Sequence, residues 1–187
     1  MLWLLLVLLL VRVACICVRL PAVLRYVSGP GVVLESSRET WLGRFCLLTW
    51  WGFLAWPVLR FADYSLHPLF AVLSVPFFVS GLLMFRRAHH ELGREFSPTL
   101  EIKSGHRLHY EGAYFRLRHP MYASVLLMGL GQLLLVPNLI IGPLSLVGSV
   151  AVLFWRIPYE EAMMSRAFGN SWEWYCARSW RLVPGVW

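Results

Sequence analysis

Arg156 stands four residues before two adjacent carboxylates, Glu160 and Glu161, at the end of a long apolar stretch. Such an arginine can bind an anionic head group, and paired acids can bind a cationic or hydroxyl-rich ligand. The same acids also suit the first turn of a helix started by Pro158, where the macrodipole favours them without any ligand. Earlier in the chain, Arg118-His119-Pro120-Met121-Tyr122 precedes another apolar stretch. Pro120 fits the first position of a helix, because its missing N–H costs nothing there. His119 then lies at or near the N-cap, beside unpaired amides that can hold an anion such as a carboxylate. The plainer alternative is that Arg118 and His119 only anchor a helix at an interface.

The segments around these residues are unusually poor in charge. Of 187 residues, 58% are hydrophobic and only 14% are charged. A soluble domain carries about 25% charged residues. The deficit excludes a soluble enzyme and a disordered chain and points to an integral membrane protein. Ten Trp, eleven Phe and seven Tyr suit membrane interfaces. The net charge of +7 fits loops over anionic lipid rather than nucleic acid. The charges that remain are clustered: residues 86–120 and 156–187 hold 18 of the 27, and five of the six His lie in 86–120. Chemistry is therefore to be sought in those two stretches. The four Cys (Cys15, Cys17, Cys46 and Cys176) form no CxxC, so small buried apolar residues describe them better than a disulfide framework or a metal site.

Residues 121–155 form a 35-residue uncharged run. As one helix it would be about 52 Å long, against a hydrocarbon core of about 30 Å. Val136-Pro137-Asn138 offers a break, which predicts a helical hairpin over 121–136 and 139–155. Further spans are expected at 1–20, despite Arg12, and at 41–59 and 68–85. The leading apolar segment lacks a preceding basic residue and a clear A-x-A site, so it reads as a retained helix rather than a cleaved signal. The expectation is an all-α polytopic membrane protein of about five transmembrane helices, forming one domain over 1–187. Connections 19–44, 86–120 and 156–187 hold fifteen Lys and Arg, while the opposite loops hold only Arg60. The positive-inside rule then puts the C-terminus in the cytoplasm and the N-terminus outside. The hairpin brings Arg118–Tyr122 and Arg156–Glu161 close together on that cytoplasmic face.

These residues fall in a recognisable order. Gly105-His106-x-Leu108, Glu111-Gly112-x-Tyr114, Arg118-His119-Pro120-Met121-Tyr122, Arg156, Glu160-Glu161, Phe168-Gly169 and Tyr175 together resemble the isoprenylcysteine carboxyl methyltransferase family. That family belongs to a wider membrane group with phospholipid methyltransferases, and the likeness covers roughly residues 84–185. It implies S-adenosylmethionine as methyl donor, with S-adenosylhomocysteine as product. It implies a cytoplasmic cofactor pocket formed by the 86–120 connection and the C-terminal helix. His106, Arg107, Leu108, Tyr114, His119, Pro120, Met121 and Tyr122 would line the cofactor. Glu160, with Glu161, would close that pocket, and Arg156 would contact the substrate. Arg156 and Glu160 are the residues expected to carry the chemistry. His109 departs from the family, which often has Val there. The implied substrate is a lipophilic or lipidated acceptor entering from the bilayer, most simply the carboxylate of an isoprenylcysteine. An amine of a phospholipid or a thiol remains open as acceptor. An NADPH-dependent reductase of the membrane sterol type and a non-catalytic lipid-binding protein are the competing classes.

Overall fold

The computed structural model describes residues 2–28, 33–36, 51–97, 101–103 and 105–186. Among these residues five α-helices dominate: α1 Leu2–Ser28, α2 Pro68–Leu92, α3 Pro120–Leu135, α4 Ile141–Phe168 and the short α5 Asn170–Cys176. Among the described residues, three helices are long and apolar enough to cross a membrane: α1, α2 and α4. α3 is also apolar but shorter. The protein is an integral membrane protein of mainly helical architecture. Large apolar side chains are exposed along all three long helices, among them Leu6, Val72, Leu83 and Phe154. In water such a surface would drive association, whereas acyl chains suit it.

Local sequence explains the helix boundaries. Pro68 and Pro120 occupy the first turns of α2 and α3, and the ring of His67 accepts a hydrogen bond from the Leu69 N–H at the start of α2. The 121–155 run breaks after α3, and Asn138 starts α4 by accepting from the N–H groups of Ile140 (3.0 Å) and Ile141 (2.9 Å). Pro158 begins no new helix, contrary to the sequence expectation. It lies inside α4, which runs on to Phe168. Proline costs the helix one backbone hydrogen bond, a loss that apolar membrane helices accommodate by local adjustment, so Pro158 need not end the segment. Gly169, at φ +50°, ends α4 and turns the chain into α5. Of the expected 41–59 span, residues 41–50, with Cys46, lie outside the described residues. Residues Gly52–Ala55 and Arg60–Ala62 form short 3-10 turns.

α3 packs between α2 and α4, and α1 lies on α2. Small residues set the approach. A Cβ at Gly131 would come within 3.1 Å of the Phe78 ring, and one at Gly129 within 3.2 Å of the Leu146 backbone. The core between them holds Leu8, Phe53, Trp56, Phe78, Phe85, Met128 and Ile141. The connections gather at two ends. At one, the Asn138 amide donates to the Leu59 carbonyl (2.8 Å) and to Asp63 (2.7 Å), which also accepts from the Trp56 indole (2.8 Å). At the other, a two-stranded antiparallel ladder joins β1 (Val33–Ser36) to β2 (Glu101–Lys103). β1, which follows α1, is thereby paired with the loop after α2.

A charged side chain is held inside the bundle. Arg12 of α1, 3% exposed, donates to the Gln132 side chain of α3, whose amide donates to the Ile141 carbonyl (3.2 Å). A guanidinium in an apolar bundle depends on every acceptor it has. Gln132→Leu is therefore expected to destabilise by about 2–3 kcal/mol. Replacing both ends, Arg12→Met with Gln132→Leu, should recover most of that loss. Thermal unfolding in detergent checks it; equal midpoints for the single and double variants would contradict the coupling.

Candidate active site

The site is built from the loop between α2 and α3, the last turns of α4, and the segment after α5. The end of α2 organises the loop. Glu91 accepts from the Ala113 backbone N–H (2.5 Å) and from Arg87 Nε (2.7 Å). Its carboxylate fills the space where a Cβ at Gly112 (φ +59°) would sit, so this turn requires glycine. The turn Gly112–Tyr114 then points Tyr114 inward, where it is 7% exposed. Burial, with the Glu160 carboxylate nearby as a second cause, pushes the Tyr114 phenol well above its ordinary range. Tyr114 therefore stays a neutral hydroxyl.

Just beyond α2, Glu95 accepts from the Arg107 backbone N–H (3.2 Å) and lies 3.6 Å from His106 Nε2. Burial lowers the His106 pKa, and Glu95 opposes that shift. The His106 ring faces Phe168 at the end of α4. Arg107 enters through its backbone while its side chain is exposed, and Leu108 is half-buried. His109 meets Tyr114 edge-on, with ring centroids 5.3 Å apart.

Two side-chain clusters follow, and they touch. In the first, Arg156 Nε donates to Tyr122 Oη (2.7 Å), and the Tyr122 hydroxyl donates to Glu160 Oε2 (2.6 Å). In the second, Glu161 receives Arg118 Nε at 2.8 Å on Oε1, with His119 Nε2 at 3.4 Å from the same oxygen. Its Oε2 receives Arg181 through both Nε (2.8 Å) and Nη2 (2.7 Å), a forked, charge-assisted contact on one oxygen. The rings of His119 and Tyr122 stack at 5.4 Å and join the clusters. Pro120 is buried, and Met121 packs on the apolar core, so this pair seats the start of α3.

The segment after α5 clamps the loop. The Arg118 N–H donates to the Trp180 carbonyl (2.8 Å), Trp180 N–H to the Arg116 carbonyl (2.9 Å), and His119 N–H to the Arg181 carbonyl (3.1 Å). Tyr175 Oη donates to the carbonyls of Tyr114 and Leu117. Arg118 Nη1 adds bonds to the backbone carbonyls of Cys176 (3.3 Å) and Ser179.

The order of these residues along the chain matches a known family. The description of the Isoprenylcysteine carboxyl methyltransferase (ICMT) family fits residues 73–166, half of the chain. This chain belongs to the isoprenylcysteine carboxyl methyltransferase family. It is 31% identical over 115 residues to protein-S-isoprenylcysteine O-methyltransferase B of Arabidopsis thaliana, a match covering 58% of this chain and 56% of that protein. It is 27% identical over 160 residues to protein-S-isoprenylcysteine O-methyltransferase of Schizosaccharomyces pombe, covering 79% and 68%. The fold is similar to that of the eukaryotic intramembrane Ras methyltransferase ICMT, with a TM-score of 0.59 at 20% identity over 80% of this chain and 54% of that one. The chain spans about half the length of the Arabidopsis relative and of that solved chain.

The part of the chain shared with the methyltransferase family holds Tyr114, Tyr122, Arg156, Glu160 and Glu161; it ends before Tyr175, Trp180 and Arg181. Sequence reasoning missed Glu91, Glu95 and Arg181. Glu91 reads as a plain i,i+4 partner of Arg87. Nothing local to it announces a bond to Ala113, 22 residues away.

Proposed function

We propose that this chain transfers a methyl group from S-adenosylmethionine to the carboxylate of an isoprenylcysteine-like acceptor that reaches the site from the bilayer. The observation that carries the reading is the chain of hydrogen bonds from Arg156 through Tyr122 to Glu160, within the part matched by the family. The donor set suits the cofactor: Glu160 can accept from an ammonium or a ribose diol, and the buried Tyr114 and half-buried His109 offer aromatic surface. When bound, S-adenosylmethionine would supply an electrophilic methyl on a sulfonium and leave as S-adenosylhomocysteine; an acceptor carboxylate, already ionised, would need no general base. Arg156 then binds the acceptor carboxylate by charge-assisted hydrogen bonds and orients it. Tyr114, Tyr122, His119 and Glu160 line the cofactor side. His106, Arg107 and Leu108 form its outer wall, over the seat made by Pro120 and Met121. Glu161 holds the two loops in register. The fifteen-to-one distribution of basic residues supports a cytoplasmic site, a cytoplasmic C-terminus and an outer N-terminus.

Two measurements test this reading. Labelled methyl transfer into a membrane extract should yield a labelled lipophilic methyl ester, identified by its mass. S-Adenosylhomocysteine should bind the detergent-solubilised protein, and Glu160→Gln should weaken that binding about tenfold or more, the loss of one charge-assisted contact. No labelled product, with identical heats for wild type and variant, refutes it. A labelled amine would move the acceptor to phospholipid chemistry.

A further inference from the structure

We infer that Tyr122 is a positioning residue whose hydroxyl separates Arg156 from Glu160, keeping the guanidinium for the acceptor and the carboxylate for the cofactor. This rests on the roles proposed above for those two residues. The argument comes from a comparison within the molecule. Arg156 and Glu160 stand four apart on α4, on one helical face. Arg87 and Glu91 stand four apart on α2, in the same order, and pair directly at 2.7 Å. On α4 the connection instead passes through a phenol from α3: Arg156 Nε to Tyr122 Oη, and Tyr122 Oη to Glu160 Oε2.

A phenol is suited to this place. Its oxygen accepts from the cation and its single proton goes to the anion, so both charges are satisfied without touching. The intervening ring is held by stacking on His119 and by packing against Ala123, Leu153, Ile157 and Leu182. With phenylalanine at this position, both bonds vanish and the hydroxyl no longer stands between the two charges. Arg156 and Glu160 then close into the direct pair that α2 already shows. The guanidinium would be turned from the acceptor toward its own helix.

The experiment uses the full chain, purified in detergent, as Tyr122→Phe. The acceptor KM should rise about tenfold or more, comparable to losing an oriented charged contact, and S-adenosylhomocysteine affinity should fall as well, because the closed pair also draws Glu160 from the cofactor. Combining Tyr122→Phe with Arg156→Ala should raise the acceptor KM no further than Arg156→Ala alone, because Tyr122 acts through Arg156. Glu160→Gln, which leaves an acceptor for the Tyr122 proton, should spare the acceptor KM. A structure of Tyr122→Phe should show Arg156 and Glu160 in direct contact. An unchanged acceptor KM, an unchanged cofactor affinity, or additive losses of acceptor KM in the double variant would overturn the inference. If the wild-type protein neither binds S-adenosylhomocysteine nor transfers methyl groups, the proposed function fails instead. The structure of Tyr122→Phe still decides whether the phenol is a spacer: the charges close, or they stay apart.

Discussion

Replacing Arg156 with alanine is expected to lower kcat/KM for a carboxylate acceptor about a hundredfold, while S-adenosylhomocysteine affinity stays within about threefold of wild type. A hundredfold corresponds to about 2.7 kcal/mol, within the range for losing an ionic hydrogen bond from a partly desolvated site. Arg156 sits where α4 changes from exposed apolar residues, Phe154 and Trp155, to the acidic pair. Arg156 is half-buried there, so its guanidinium is less screened than one in bulk water. The fold should survive the change, because Tyr122 still donates to Glu160. Lysine at 156 should restore only part of the activity, since a point charge lacks the two-point geometry of a guanidinium. Steady-state kinetics with a prenylated thioether acid, paired with calorimetry of S-adenosylhomocysteine, separates the two effects. Equal loss in both would move Arg156 to the cofactor.

What makes this prediction possible was partly legible from the residues alone. An uncharged run too long for one helix, broken at Val136-Pro137-Asn138, had to fold back on itself. Its two ends, Tyr122 and Arg156, then had to meet, and in the structure they share a hydrogen bond. The continuation of α4 through Pro158 was not legible. Proline rules describe a solvated helix, and apolar membrane helices tolerate proline more readily. Arg12 stood out as a charge in an apolar helix, but Gln132 lies 120 residues away and carries no mark of its role. The same holds for the C-terminal clamp. Tyr175 reaches the carbonyl of Tyr114 across 61 residues, and Arg181 lies beyond the stretch that the family shares. Helix periodicity and local spacing report near neighbours. They say nothing of which distant carbonyl a side chain will meet.

Glu161 follows from that clamp, and Glu161→Ala is expected to cost about 3 kcal/mol of stability. The carboxylate is 12% exposed, and it faces Arg118 at 10% and His119 at 4%. Removing one member of a buried ionic group leaves the others desolvated and without their acceptor, typically about 3–5 kcal/mol. Arg181, at 34% exposure, can turn to water, which keeps the expected loss at the lower end. Arg118 would retain its bonds to the carbonyls of Cys176 and Ser179, so the loop is loosened rather than lost. The effect should still reach the site. The Arg181 carbonyl holds the His119 N–H, and the His119 ring stacks on Tyr122. A loosened segment 177–186 therefore shifts the residue that links Arg156 to Glu160. The expected results are a lower unfolding midpoint in detergent, faster proteolytic cleavage after Ala177, and a fall in turnover that tracks both. Glu161→Gln keeps an acceptor for Arg118 and should show roughly half the loss. Arg181→Met, which removes only the most exposed partner, should show less than either. If Arg181→Met were the more damaging change, the clamp would owe its strength to Arg181 itself rather than to the buried carboxylate at its centre.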